Sequence, residues 1–107
     1  MDQKLKNFLD GMTLLRSLDA EIQAQVISIL ILVADKPGMS MREIAEALSI
    51  DISSVTRGVY RLGKHPRESS GYGLVVAEVD PSDTRRKPVR LTKKGEEFIA
   101  KFKKTIS

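Results

Sequence analysis

Two groups of hydroxyls and cations are spaced as a polyanion would require: Ser53, Ser54, Thr56, Arg57, Tyr60, Arg61 and Lys64 in one stretch, and Arg85, Arg86 and Lys87 in another. Short hydroxyls can bond to base edges and arginine can fork onto guanine or phosphate, so this is chemistry suited to reading a duplex groove. The residue types that catalysis needs are sparse. There is no cysteine, hence no thiolate nucleophile, disulfide framework or cysteine-based metal site. The lone His65 sits beside Pro66 in a polar segment, with no nucleophile near it in sequence, and reads as a surface histidine. Glu43 and Glu46 lack a His, Cys or metal-spaced partner, so they read as exposed helical carboxylates rather than a general base. No enzymatic activity, metal or cofactor is expected.

The first group must be positioned by residues 40–64. Ser40 followed three places later by Glu43 forms a capping box, in which each side chain satisfies the other residue's backbone N–H. Ile44, Ala45 and Leu48 then share a helical face. After a turn near residues 49–51, Ile52, Val55, Val59 and Leu62 recur at steps of three and four, an apolar stripe on a helix over 52–64. Its opposite face carries Ser53, Thr56, Arg57, Tyr60, Arg61 and Lys64, with Tyr60 falling between groove and packing. A recognition helix would present such a face. So would any helical hairpin with a solvated basic side, and this stretch alone does not separate the two.

Charge placement adds to the case. Residues 1–50 hold five Lys/Arg against seven Asp/Glu, and residues 51–107 hold thirteen against seven, which makes −2 and +6 of the total +4. A basic half containing the candidate recognition helix is the electrostatic footprint expected for nucleic acid.

The remaining elements follow from periodicity. Residues 3–18 set Leu5, Phe8, Leu9, Met12, Leu15 and Leu18 on one face. Gly11 within that helix costs roughly 1 kcal/mol relative to Ala, which implies tertiary or intersubunit support. The segment lacks the cationic, apolar and cleavage regions of a signal peptide, and the expected location is cytoplasmic, at the nucleoid. Residues 19–35 read as a second helix with Asp19 as N-cap and Glu21 in its first turn. Its run from Val26 to Ala34 is apolar nearly all round and too short to span a bilayer, as suits a central buried helix. Pro37 and Gly38 end it. Residues 63–73 are a loop, residues 74–79 and 89–91 are strands, and the stretch 80–88 between them is a basic turn. Thr92 caps a last helix with Phe98, Ile99 and Phe102 inside and Lys101, Lys103 and Lys104 outside.

The resulting fold class is mainly α with a small β-hairpin wing: a winged helix-turn-helix, with a three-helical bundle plus N-terminal and C-terminal helices. A single domain covers 1–107, divided into an N-terminal helix (1–18), a core (19–91) and a C-terminal helix (92–107).

The run Asp83-Thr84-Arg85-Arg86, with Leu91-Thr92-Lys93-Lys94-Gly95 after it, resembles the wing and following helix start of MarR-family regulators. Gly73-Leu74 and the pair 41–48 and 52–62 also fit, so the resemblance covers about residues 19–100. It implies that Arg85 reaches into the minor groove, steadied by Asp83, where a narrow groove concentrates negative potential. It also implies recognition-helix roles for Ser53, Ser54, Thr56, Arg57 and Arg61. Ser40, Arg42, Lys64, Arg86 and Lys87 complete the expected contact set as phosphate-facing residues.

Two features depart from the family pattern. The loop 63–73 is longer than the usual passage from recognition helix to wing, which alters the wing's angle and reach. The chain also ends at Ser107 without the long C-terminal helices that build the family's dimer interface, so the N-terminal helix and residues 92–106 must supply any dimer, and a small-molecule effector is not implied. The expected function is sequence-specific double-stranded DNA binding in transcription, as a repressing homodimer. The alternatives are a winged-helix module for DNA replication, partition or packaging, or a protein-docking winged helix.

Overall fold

The computed structural model describes residues 1–64, 71–78, 82 and 87–107. The element order is α1 (Gln3–Arg16), α2 (Ala24–Asp35), α3 (Met41–Leu48), α4 (Ile52–Leu62), β1 (Val75–Ala77), β2 (Val89–Leu91) and α5 (Lys93–Ile106). This is the mainly helical, winged helix-turn-helix arrangement that the residue pattern implies.

The core forms where the apolar faces of α2, α3 and α4 meet the hairpin. Ile29, Leu30, Val33, Ile44, Val55, Leu62, Leu74 and Val89 are fully buried there. Gly58 makes close approach of α2 and α4 possible, since a Cβ on it would lie 2.5 Å from Ile29 Cδ1. The capping box at α3 is formed as expected: Ser40 Oγ accepts from Glu43 N–H and Glu43 Oε1 from Ser40 N–H, each at 3.1 Å. Ser49 ends α3 in the left-handed region (φ 56°, ψ 43°), turning the chain tightly into α4.

β1 and β2 pair antiparallel, with Val75 opposite Leu91, Val76 opposite Arg90 and Ala77 opposite Val89. Met39, just before α3, adds an antiparallel bridge to Val89 and ties the hairpin to the helix-turn-helix. Thr92 caps α5 as expected, its Oγ1 accepting from Gly95 N–H at 3.0 Å. The same hydroxyl donates to Gly73 O at 2.6 Å, joining the helix start to the strand entry.

Several boundaries differ from the sequence expectation. Residues 19–23 are not helical: α2 begins at Ala24, with Gln23 as an N-cap that makes no side-chain cap bond. Asp19 does not cap that helix. Its carboxylate accepts from Glu21 N–H at 2.9 Å and from the Tyr72 hydroxyl at 2.8 Å, which stabilises a turn in place of a further helical turn. α2 is not enclosed all round, because Ile31 is 45% exposed. Leu18 lies beyond α1, Lys64 beyond α4, and β1 spans Val75–Ala77 only. Ile52, expected in the buried stripe of α4, is 48% exposed, so the buried stripe begins at Val55.

α1 packs on α5. A Cβ at Gly11 would stand 2.5 Å from Ile106 Cγ2 and 3.1 Å from Phe102 Cε1, so the glycine that weakens the helix also permits this close approach. The C-terminal half of its apolar face reaches the core, where Leu15 is buried, whereas the N-terminal half is open: Leu5 and Phe8 are 65% exposed and Leu9 is 51% exposed. Among the described residues, no helix is long and apolar enough to cross a membrane.

Candidate nucleic-acid interface

α4 is held by its apolar side, with Val55, Val59 and Leu62 buried, and this decides which residues face outward. Ser53, Arg57 and Arg61 are exposed, Ser54, Thr56 and Tyr60 are half-buried, and Lys64 is exposed just past the helix end. Among the described residues the ion pair formed is Lys6–Asp10 on α1, and no described carboxylate lies at ion-pair distance from Arg57 or Arg61.

The hydroxyls of this face are already engaged. Ser53 Oγ donates to Asp51 Oδ2 and Ser54 Oγ donates to Asp51 Oδ1. Arg57 Nη2 donates to Ser54 Oγ at 3.2 Å, continuing the chain of bonds along the helix. These two serine donors, Ser53 first, hold the Asp51 carboxyl below the usual carboxylate range. Thr56 Oγ1 turns back to its own helix, bonding Ile52 O at 2.9 Å and lying 3.5 Å from Met41 Sδ of α3. In this conformation Thr56 directs its hydroxyl proton to its own helix rather than offering it outward.

The expected phosphate-facing residues divide by position. Arg42 is exposed on α3, and Lys87 is exposed at the foot of β2. Ser40 is half-buried, with its hydroxyl committed to the capping box. Asp83, Thr84, Arg85 and Arg86, like His65, lie outside the described residues.

The long loop after α4 is closed at its base. Tyr72, Gly73 and Leu74 donate backbone N–H bonds to Arg61, Gly63 and Leu62 carbonyls at 3.0, 2.9 and 2.8 Å. The residues flanking 65–70 therefore meet, and β1 starts beside the end of α4 despite the extra residues. A cleft of about 380 Å³ opens beside the outward face, its lining including Asp19, Gln25, Ser54, Arg57, Arg61 and Tyr72. Burial, then the bond to Asp19, pushes the Tyr72 phenol up to about 12. The Glu21 N–H, then the Tyr72 hydroxyl, hold the Asp19 carboxyl below its ordinary value.

Sequence reasoning missed two members of this surface. Asp51 carried a readable signal, an acid followed by serines two and three places on, which is a local side-chain bonding pattern. The Asp19–Tyr72 pair carried none, because the partners are 53 residues apart.

A helix-turn-helix whose second helix presents cations outward, with an antiparallel hairpin behind it, defines a winged helix-turn-helix. Residues 24–62 match the family model for winged helix-turn-helix DNA-binding domains. A MarR-like transcriptional regulator from Thermotoga maritima is 35% identical with a TM-score of 0.65, the alignment covering 80% of this chain and 56% of that one. The transcriptional repressor CouR, solved on a 23-mer DNA duplex, is 27% identical with a TM-score of 0.69, over 95% of this chain and 66% of the other. A proposed transcriptional regulatory protein for the hcr operon of Thauera aromatica is 28% identical over 74 residues, 69% of this chain and 40% of that protein. The chain thus has a winged helix-turn-helix fold similar to that of MarR-like regulators, and it spans less than two thirds of the Thauera and Thermotoga relatives' lengths.

Proposed function

We propose that the protein is a sequence-specific double-stranded DNA-binding regulator of transcription, a repressor that acts as a homodimer in the cytoplasm, at the nucleoid. The observation that carries this reading is the outward face of α4, where Ser53, Arg57 and Arg61 project from a helix whose other side is sealed into the core. A helix fixed in this way enters a major groove without losing its packing, and its N-terminal residues meet base edges. Arg42, Lys64 and Lys87 contact flanking phosphates. The resemblance of the wing sequence assigns the minor-groove contact to Arg85 with Asp83 and adds Thr84 and Arg86 to the contact set. The likeness to a repressor solved on DNA supports this reading.

The dimer reading rests on apolar surface. Leu5, Phe8 and Leu9 on α1 and Ile106 on α5 are exposed on two helices that pack together. Two copies joined there would place two α4 helices in successive major grooves, and occupation of such a site excludes polymerase.

Selection from random duplexes followed by footprinting tests the reading. The expected outcome is a palindromic site with half-sites about one helical turn apart. Arg57→Ala costs roughly 1–3 kcal/mol in a sequence-dependent way if it reads a base. A uniform loss with a shallower salt dependence makes it a phosphate contact. Arg85→Ala weakens binding and alters the preference for A/T-rich flanks. Unchanged binding by both variants refutes the assigned face.

A further inference from the structure

We infer that Asp51 sets the hydrogen-bonding polarity of the first turn of α4, so that this turn selects bases presenting an amino group in the major groove. The inference rests on the DNA-binding reading above and adds to it the kind of base edge that is read.

A serine hydroxyl has one proton and two lone pairs, whereas an ionised carboxylate has lone pairs only. In this structure the proton of Ser53 goes to Asp51 Oδ2 and that of Ser54 goes to Asp51 Oδ1. Both serines are thereby used up as donors. Ser54 Oγ also accepts from Arg57 Nη2, which leaves it little further capacity. Ser53 is exposed and keeps its lone pairs directed away from the bond to Asp51, and Asp51 is itself exposed. The carboxylate makes no cap bond to the backbone N–H groups of α4, so the serines are its partners at this turn.

The side chains that lead the helix are therefore a cluster of acceptors: Asp51 Oδ1 and Oδ2 and Ser53 Oγ. In the major groove, cytosine N4 and adenine N6 are donors, whereas guanine O6 and N7 and thymine O4 are acceptors. Side chains that offer only acceptors accept from the amino groups and are repelled by the keto oxygens. On the strand it contacts, it selects A or C over G or T. Arg57, one turn further along, supplies donors for the opposite kind of edge. The two turns of the helix thus read complementary chemistry, and the Asp51–Ser54–Arg57 bonds hold them in register.

The test is duplex selection with the full chain as wild type, Asp51→Ala and Ser53→Ala, followed by affinity measurement on single-base variants of the selected site. Wild type is expected to enrich A or C beneath the first turn of α4. Asp51→Ala frees both serine protons, and the amino-over-keto preference at those positions falls about fivefold, the worth of one ordinary hydrogen bond, while preferences elsewhere in the site persist. Ser53→Ala lowers the same preference without touching the carboxylate. Two results overturn the inference: G or T enriched at those positions by wild type, or an Asp51→Ala variant that binds every sequence more tightly by one common factor, the mark of a bulk charge. Failure of wild type to bind any duplex is a different result, and it removes the DNA-binding reading along with this inference.

Discussion

α1 and α4 look alike as sequence and are treated in opposite ways by the fold. Both carry apolar residues at steps of three and four, and both contain a glycine on that face. In α4 the stripe of Val55, Val59 and Leu62 is buried, and Gly58 lets Ile29 of α2 approach. In α1 the stripe stays open from Leu5 through Leu9, and Gly11 touches only the end of α5. Periodicity shows that a face needs a cover. Which cover it receives depends on elements far away in sequence.

The largest expected effect that sharpens this contrast is in α4. Leu62 is fully buried, so Leu62→Ala should lower unfolding free energy by about 2–5 kcal/mol through lost burial and a residual cavity. Denaturant titration checks it. A loss below about 1 kcal/mol would mean that the core collapses around the gap.

The two glycines give a paired test of smaller size. Each Cβ added by an alanine substitution would fall 2.5 Å from an isoleucine side-chain atom. Ile29 is fully buried and has nowhere to move, so Gly58→Ala should cost about 1–3 kcal/mol by overpacking. Ile106 is 40% exposed at the end of its helix and can swing aside. Gly11→Ala should therefore be neutral, or stabilise by up to about 1 kcal/mol from helix propensity. Equal penalties at both sites would show that the α1–α5 seam is as tight as the core.

Phe8→Glu should change the stability of an isolated subunit by less than about 0.5 kcal/mol, since Phe8 is 65% exposed. Its effect should fall on assembly, moving the species seen by analytical ultracentrifugation from dimer to monomer. An unchanged sedimentation profile would place the interface elsewhere.

The smallest effect is on pH dependence. The serine bonds hold the Asp51 carboxyl below its ordinary value of 3.8, so its stabilising contribution is present at neutral pH. That contribution is lost as pH falls below about 4 through the lowered folded value. Asp51→Asn should flatten the acid limb of the stability curve by lowering the neutral plateau slightly, leaving the stability below the titration unchanged, as denaturant titrations across pH would show.

Some residues were readable because their role is local. The Ser40–Glu43 capping box and the Thr92 cap need only the backbone three residues on, and both formed as expected. The Leu-Thr-x-x-Gly unit was legible as a pattern, but the need for its glycine was not. A Cβ on Gly95 would sit 2.0 Å from the Leu74 carbonyl oxygen, which only the packing of α5 on the strand entry brings there. Asp19 is the reverse case. By type it suits an N-cap, yet the tertiary fold brings Tyr72 to it from across the domain, and α2 begins five residues later.

On its own, then, the sequence determined the order of elements, the caps of α3 and α5 and the basic face of the fourth helix, all set by interactions a few residues apart. The tertiary structure alone decided that the α1 stripe is covered at Leu15 but open from Leu5 to Leu9, and that Ile52 stays half exposed, because burial depends on which surfaces meet. It also brought the Tyr72 hydroxyl to Asp19, since partners 53 residues apart meet only where the fold places one within reach of the other.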